Sequence, residues 1–121
     1  MGNKEVGRGG EEMACGFLKR RGYRILKRNY RSPYGEVDIV ACKGDFLVFC
    51  EVKTRSVGGM DEALMAVDAR KQGRLARAAS HYLACEGHVW NQCRFDVIAL
   101  LKSGGMWKIE HVKDAFEIGE L

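Results

Sequence analysis

The chain has one proline, no C-x-x-C pair among its five cysteines, and no apolar run near the roughly 20 residues that span a bilayer. A Pro-rich linker, a low-complexity tract and a membrane-spanning helix are therefore all excluded. The cysteines (Cys15, Cys42, Cys50, Cys85 and Cys93) are odd in number, and with His81, His88 and His111 they show no zinc-ligand spacing. They fall mostly at apolar positions, as reduced core thiols of a cytoplasmic protein do. No signal-peptide pattern opens the sequence, and Met1-Gly2 lacks a myristoylation context because Val6 stands where Ser or Thr is required. No membrane partner is expected. A large excess of one sign of charge is also absent: a net +4 permits a polyanionic partner without requiring one, so the distribution of charge matters more than its total.

What is present is ordinary for a globular protein, 46% hydrophobic and 30% charged over 121 residues. Residues 1–121 are expected to form a single domain with one core. There is no internal repeat. After a Gly-rich start, residues 10–21 have the periodicity of a helix with Met13, Ala14, Phe17 and Leu18 on its apolar stripe, stopped by Gly22. Residues 23–31 suggest a basic strand, and Pro33 marks a turn. A Gly58-Gly59 loop precedes a long helix capped by Asp68 and ending near Cys85-Glu86-Gly87, with Leu75, Ala79, Tyr82 and Leu83 facing inward. Gly73 weakens its first turns by about 1 kcal/mol. Residues 94–101 and 106–112 complete the pattern as strands joined at Gly104-Gly105, before a short tail. The order αβββαββ, with a crossover helix between two parallel strands, predicts an α/β mixed sheet with a helix on each side.

The segment from Gly35 to Arg55, GEVDIVACKGDFLVFCEVKTR, carries the most chemistry. Gly44-Asp45 between two β-branched and aromatic runs predicts a two-residue hairpin turn. That register sets Val40 opposite Phe49, Cys42 opposite Leu47 and Asp38 opposite Glu51. Alternation then puts Glu36, Asp38, Glu51 and Lys53 on one face. Single charges near strand ends are usually just solvated. Like charges set opposite one another are destabilising, however, and a divalent cation is the natural compensation.

Phosphodiester hydrolysis needs such an ion, and magnesium (or manganese) takes one or two carboxylates while keeping several waters. Asp38 and Glu51 supply that number, with the Val52 carbonyl as a third candidate ligand. Lys53 would orient the attacking water or offset charge on the phosphate. At the start of the first helix, Glu11 falls on the rim of the apolar stripe and Glu12 turns towards solvent, so Glu11 is the better placed to reach a site on the sheet. Both acids also simply favour a helix N-terminus.

Arg70, Arg74, Arg77 and His81 recur every third or fourth residue along the long helix, with Lys71 alongside. Solvated basic helix faces are common. Together with Arg55 and the basic strand holding Arg24, Lys27, Arg28 and Arg31, the stripe suggests a phosphate-binding groove. Tyr30 and Tyr34 could stack on unpaired bases or serve as packing residues. Asp96, an acid in an apolar strand, is expected to pair with a basic neighbour.

GRGGEEMACGFL, GYRILKRNYR, the hairpin segment, the Lys71-Gln72 pair and CRFDVIAL together resemble the YraN-like family of uncharacterised bacterial proteins. That family in turn resembles the PD-(D/E)XK nuclease superfamily, particularly archaeal Holliday-junction resolvases. The resemblance implies a restriction-endonuclease-like fold, Asp38 and Glu51 as metal ligands, Lys53 as the catalytic lysine, and Glu11 as the acid of the family's Gly-Glu. Lys71 and Gln72 join Arg28, Arg55, Arg70, Arg74 and Arg77 as nucleic-acid contacts. Val37 occupies the position of the superfamily's proline, and Gly73 follows Lys71-Gln72 where a basic residue is more usual.

The expected function is metal-dependent cleavage of DNA, in preference to RNA, within branched or single-stranded repair or recombination intermediates. A binding module with little chemistry is the alternative, and an unrelated interaction domain leaves the acids unexplained. Two-fold symmetric substrates would favour a homodimer.

Overall fold

Two apolar runs with strand periodicity separated by Gly44-Asp45 fold back on one another, and the rest of the molecule is arranged around that hairpin. The computed structural model describes residues 3–56 and 58–117, with side chains from residue 9 onward; part of the expected tail lies outside them. The elements are α1 (Asn3–Arg20), β1 (Arg24–Ser32), β2 (Gly35–Lys43), β3 (Phe46–Arg55), α2 (Met60–Met65), α3 (Ala69–Glu86), β4 (Gln92–Ser103) and β5 (Met106–Val112). The short α2 is additional to the expected order. It buries Ala63 over Ala99 and Leu101, and six residues with one buried side chain carry no legible period.

The five strands lie in the order β1-β2-β3-β4-β5. β3 and β4 are parallel and the other neighbours antiparallel, which gives the mixed α/β sheet expected of a restriction-endonuclease-like fold. The hairpin register is as read from the sequence, Val40 against Phe49 and Cys42 against Leu47.

Each face of the sheet is covered by one long helix. Val40, Leu47, Phe49, Phe95 and Val97 pack beneath Leu75, Ala78, Ala79 and Tyr82 of α3. Ile39, Ala41, Val48, Cys50 and Ile98 pack beneath Ala14, Cys15 and Leu18 of α1. On α1, Met13 is 39% exposed and Cys15 takes an inner position in its place. Cys85 and Cys93 are exposed rather than core residues, since each lies near the end of its element.

The end of α1 is defined by its hydrogen bonds. The Gly22 N–H donates to the Lys19 carbonyl and the Tyr23 N–H to the Leu18 carbonyl, each at 3.0 Å, and Gly22 takes φ +89. This Schellman arrangement brings Tyr23 onto Leu18 in the α1 core. The start of α1, at Asn3, is earlier than the expected residue 10. Gly10 lies so close to the sheet that a Cβ there would stand 2.8 Å from Thr54 Oγ1 and 2.9 Å from Leu100 Cδ1. Lacking one, α1 lies directly over the ends of β3 and β4, which places Glu11 beside them. On the opposite face, Asp68 caps α3 by accepting the Lys71 N–H at 3.0 Å, and Gly87 ends it at φ +79.

Candidate active site

The β2–β3 ladder runs from Lys43 against Phe46 to Ile39 against Cys50 and stops one pair short of Asp38 and Glu51. Beyond that point the Asp38 carboxylate replaces the backbone, its Oδ2 accepting the Val52 N–H at 2.8 Å. Burial, and then the neighbouring Glu51 carboxylate, push the Asp38 carboxyl up to about 7, against the Val52 N–H, which favours the charged form. Glu11 adds to the upward push. Two acids are thus held together with one backbone donor between them.

Lys53 lies two residues along β3, on the face that carries Glu51, and its Nζ is 3.3 Å from Glu51 Oε1. Both side chains are largely buried. From the other side α3 brings Lys71 against Lys53, and the adjacent ammonium holds Lys71 below the usual lysine range. Glu51 and Lys71 share a cleft of about 290 Å³ with Gly35, Glu36, Arg74 and Leu75. Glu36 lines this cleft but pairs with Arg31 at 3.0 Å, near solvent.

The residues expected to act here separate into three groups. Asp38, Glu51 and Lys53 are brought together, and Lys71 and Arg74 face Glu51 across the cleft. Arg70 and Arg77 are exposed on α3, outside that lining. Arg28, Arg55 and Gln72 have partners within the protein. Arg28 donates to Glu12 at 2.6 Å, Arg55 to the Thr54 carbonyl at 2.9 Å, and the Gln72 amide to the Val67 carbonyl at 2.9 Å. Gln72 therefore ties α3 to the turn after α2, a role that the Lys71-Gln72 pair gives no hint of.

Glu11 receives a hydrogen bond from Asn29 Nδ2 at 2.9 Å, and Glu12 is the more exposed of the pair. Asn29 was not singled out from the sequence. It adopts φ +52 in the middle of β1, a conformation that asparagine tolerates better than most residues. An asparagine inside an otherwise strand-like run was the available signal. The contact between Lys71 and Lys53 had no signal at all, because it depends on how α3 docks.

Asp96 pairs with basic neighbours as expected, on the α1 face of the sheet. Arg94 grips it through Nε at 2.8 Å and Nη2 at 2.9 Å, His111 Nε2 lies 2.7 Å away, and the Asp114 N–H donates at 2.9 Å. Burial alone would raise this carboxyl, but His111, Arg94 and the Asp114 N–H outweigh it and hold it below the usual carboxylate range.

Among the described residues no group of three or more His, Cys, Asp or Glu side chains gathers around a common point. The donors that could hold a metal are the two carboxylates of Asp38 and Glu51. An all-oxygen pair of carboxylates suits magnesium, which fills its remaining positions with water.

Comparison with known proteins gives one family. The model of "Uncharacterised protein family UPF0102" matches residues 10–100, a span that holds Glu11, Asp38, Glu51, Lys53 and Lys71. A UPF0102 protein of Magnetococcus marinus is 43% identical over 96% of this chain and 94% of its own length. One of Dictyoglomus thermophilum is 42% identical over 96% of this chain and all of its own. A third, of Geobacter metallireducens, is 44% identical over 96% and 95%. With most of the first helix, both acid-bearing strands and the basic helix inside the match, and relatives aligned nearly end to end, the chain belongs to the uncharacterised protein family UPF0102.

Proposed function

We propose that the protein is a metal-dependent endonuclease that hydrolyses phosphodiester bonds in DNA, in branched or single-stranded intermediates of repair or recombination. The observation that carries this reading is the pairing of Asp38 and Glu51 at a cleft whose other wall is cationic. A carboxyl pushed up by burial and by an acid beside it, as Asp38 is, is costly to fold around, and next to lysines and arginines such a pair of acids suits a cation and a phosphate together.

Asp38 and Glu51 would hold Mg2+ or Mn2+, which when bound polarises the phosphate and makes a water more acidic. The protein's own groups have separable tasks. The Val52 N–H fixes the Asp38 carboxylate, leaving Oδ1 for a ligand. Lys53, oriented by Glu51, is placed to steady the attacking water and the charge that builds on the phosphate. Lys71 and Arg74 face the same space and can take the non-bridging oxygens. Arg70 and Arg77 extend this positive surface along α3, where a strand's further phosphates would lie. Glu11, held by Asn29, supports the site from the α1 side.

The test is cleavage of labelled linear, single-stranded, flapped and four-way DNAs with magnesium or manganese, comparing wild type with Glu51→Ala. Metal-dependent cutting that vanishes in the variant is the expected result; cutting that survives places the chemistry elsewhere. A second reading, a nucleic-acid-binding module with little chemistry, is favoured by one observation. Arg70, Lys71, Arg74 and Arg77 are in no ion pair among the described residues and need no metal to attract phosphate. Binding to these DNAs without cutting would select it.

A further inference from the structure

Tyr30 and Tyr34 are equivalent as sequence, but the fold separates them. Tyr30 is half-buried, its ring edge-on to Tyr82 at 5.2 Å and its hydroxyl 2.6 Å from His81 Nδ1. Tyr34 is 54% exposed, at the turn between β1 and β2. It directly precedes Gly35, which lines the cleft shared by Glu51, Lys71 and Arg74.

The turn that carries Tyr34 is fixed from both sides. Ser32 Oγ accepts the Tyr34 N–H at 3.1 Å and the Gly35 N–H at 3.2 Å, and donates to the Gly35 carbonyl at 3.0 Å. Gly35 is pressed against α3, where an added Cβ would stand 3.2 Å from Arg74 Cβ and 3.3 Å from its carbonyl oxygen. The Tyr34 ring lies 6.3 Å from that of His81, at 65°, and His81 is itself held by Tyr30. An exposed tyrosine on a loop is usually unremarkable. This one is braced by a histidine beneath it and a serine-capped turn behind it, next to a cationic cleft. Among the described residues, of the exposed large apolar side chains Met13, Tyr34, Phe46, Met65, Val89, Met106 and Trp107, it is the one whose neighbour in the chain lines that cleft.

We propose that Tyr34, backed by His81, is a stacking platform for an unpaired base, so that the strand entering the cleft is single-stranded beside it. The proposal rests on the nucleic-acid reading above and narrows its substrate class. A braced aromatic side chain loses little freedom when a base stacks on it, and any base offers a π-face, so the contact selects for lack of pairing rather than for sequence. In a duplex the same face is covered by neighbouring pairs, and Tyr34 would have only the backbone to touch. Lys71 and Arg74 would hold phosphates while the base turns out onto the ring.

The test is fluorescence anisotropy with the whole protein and no added metal, using a labelled single strand, a forked duplex and a blunt duplex. Tyr34→Ala should weaken binding to the single strand and the fork by roughly five- to a hundredfold, the range for losing one stacked base. Blunt-duplex binding and the unfolding midpoint should stay at wild-type values, and Tyr34→Phe should restore the single strand. Equal losses on all three DNAs, or no loss on the single strand, would overturn the platform. Absence of any DNA binding by the wild type would overturn both this and the nucleic-acid reading. Cutting plays no part in the readout. A protein that discriminates single strands through Tyr34 yet hydrolyses nothing would keep the platform and remove only the nuclease.

Discussion

Asp96 and Asp38 are both carried by strands of one sheet, and their surroundings drive them in opposite directions. Asp96, fully buried, is surrounded by Arg94, His111 and the Asp114 N–H, with a donor for every acceptor position it uses. Asp38 has a single backbone donor and an acid beside it. The compensated acid is structural, and the one left short is the candidate for chemistry. Removing the Asp96 charge leaves the largely buried Arg94 without its carboxylate partner, so Asp96→Asn should cost about 3 kcal/mol at pH 7 by urea unfolding. Because the folded pKa of Asp96 lies below its ordinary value, its contribution is complete above about pH 4 and fades as the pH falls through the folded value. The gap between wild type and variant should therefore shrink towards pH 2; a gap independent of pH would mean that the charge is not what holds this cluster. For Asp38 the expectation concerns a ligand: magnesium or manganese should raise the melting temperature of the wild type, and Asp38→Ala should abolish that rise. A rise that persists in the variant would put the cation elsewhere.

Two glycines inside helices have opposite reasons to be there. In α1, Gly10 permits contact with Thr54 and Leu100, so Gly10→Ala should push the helix off the sheet, cost about 1–3 kcal/mol, and shift Glu11 away from Asp38. In α3, the heavy atom nearest an added Cβ at Gly73 is Arg77 Nη1, at 3.7 Å. Gly73→Ala should gain roughly 0.5–1 kcal/mol through helix propensity alone. Chemical denaturation of both variants checks the pair, and a stabilising Gly10→Ala would refute the close approach. The elements were legible where local rules and tertiary packing agree. The hairpin declared itself because alternation and the Gly44-Asp45 turn specify one register, and α3 because Asp68 and Gly87 bracket an apolar stripe. Less of the site was legible. Alternation placed Asp38 and Glu51 together, but not the parting of the strands that gives Asp38 the Val52 N–H. Nor could spacing show that Arg28, drawn to Glu12, and Gln72, drawn to Val67, are occupied within the fold.

Over the whole molecule, a modest net charge is sorted into a useful pattern, with the acids of β2 and β3 at the base of a cleft and the basic face of α3 above it. If that face meets phosphates, Arg74→Glu with Arg77→Glu should weaken DNA binding and flatten its dependence on salt, since fewer counterions are released. Unchanged binding in a salt titration would remove α3 from the interface. The strand order has a different consequence. Because it follows the chain, β1, β2 and β3 are joined by tight turns into one ribbon, and β4 and β5 into another. The seam between β3 and β4 alone must close the long span that holds α2 and α3, so it carries the main loop-closure entropy of folding. Glu51 and Lys53 lie along that seam, opposite Val97 and Ala99. Opening it would leave both ribbons with their own hydrogen bonds while separating Glu51 and Lys53 from the strand that backs them. If the protein cleaves DNA as proposed, that cleavage should therefore respond to cold, denaturant or a weakened β3–β4 contact before the bulk of the secondary structure does.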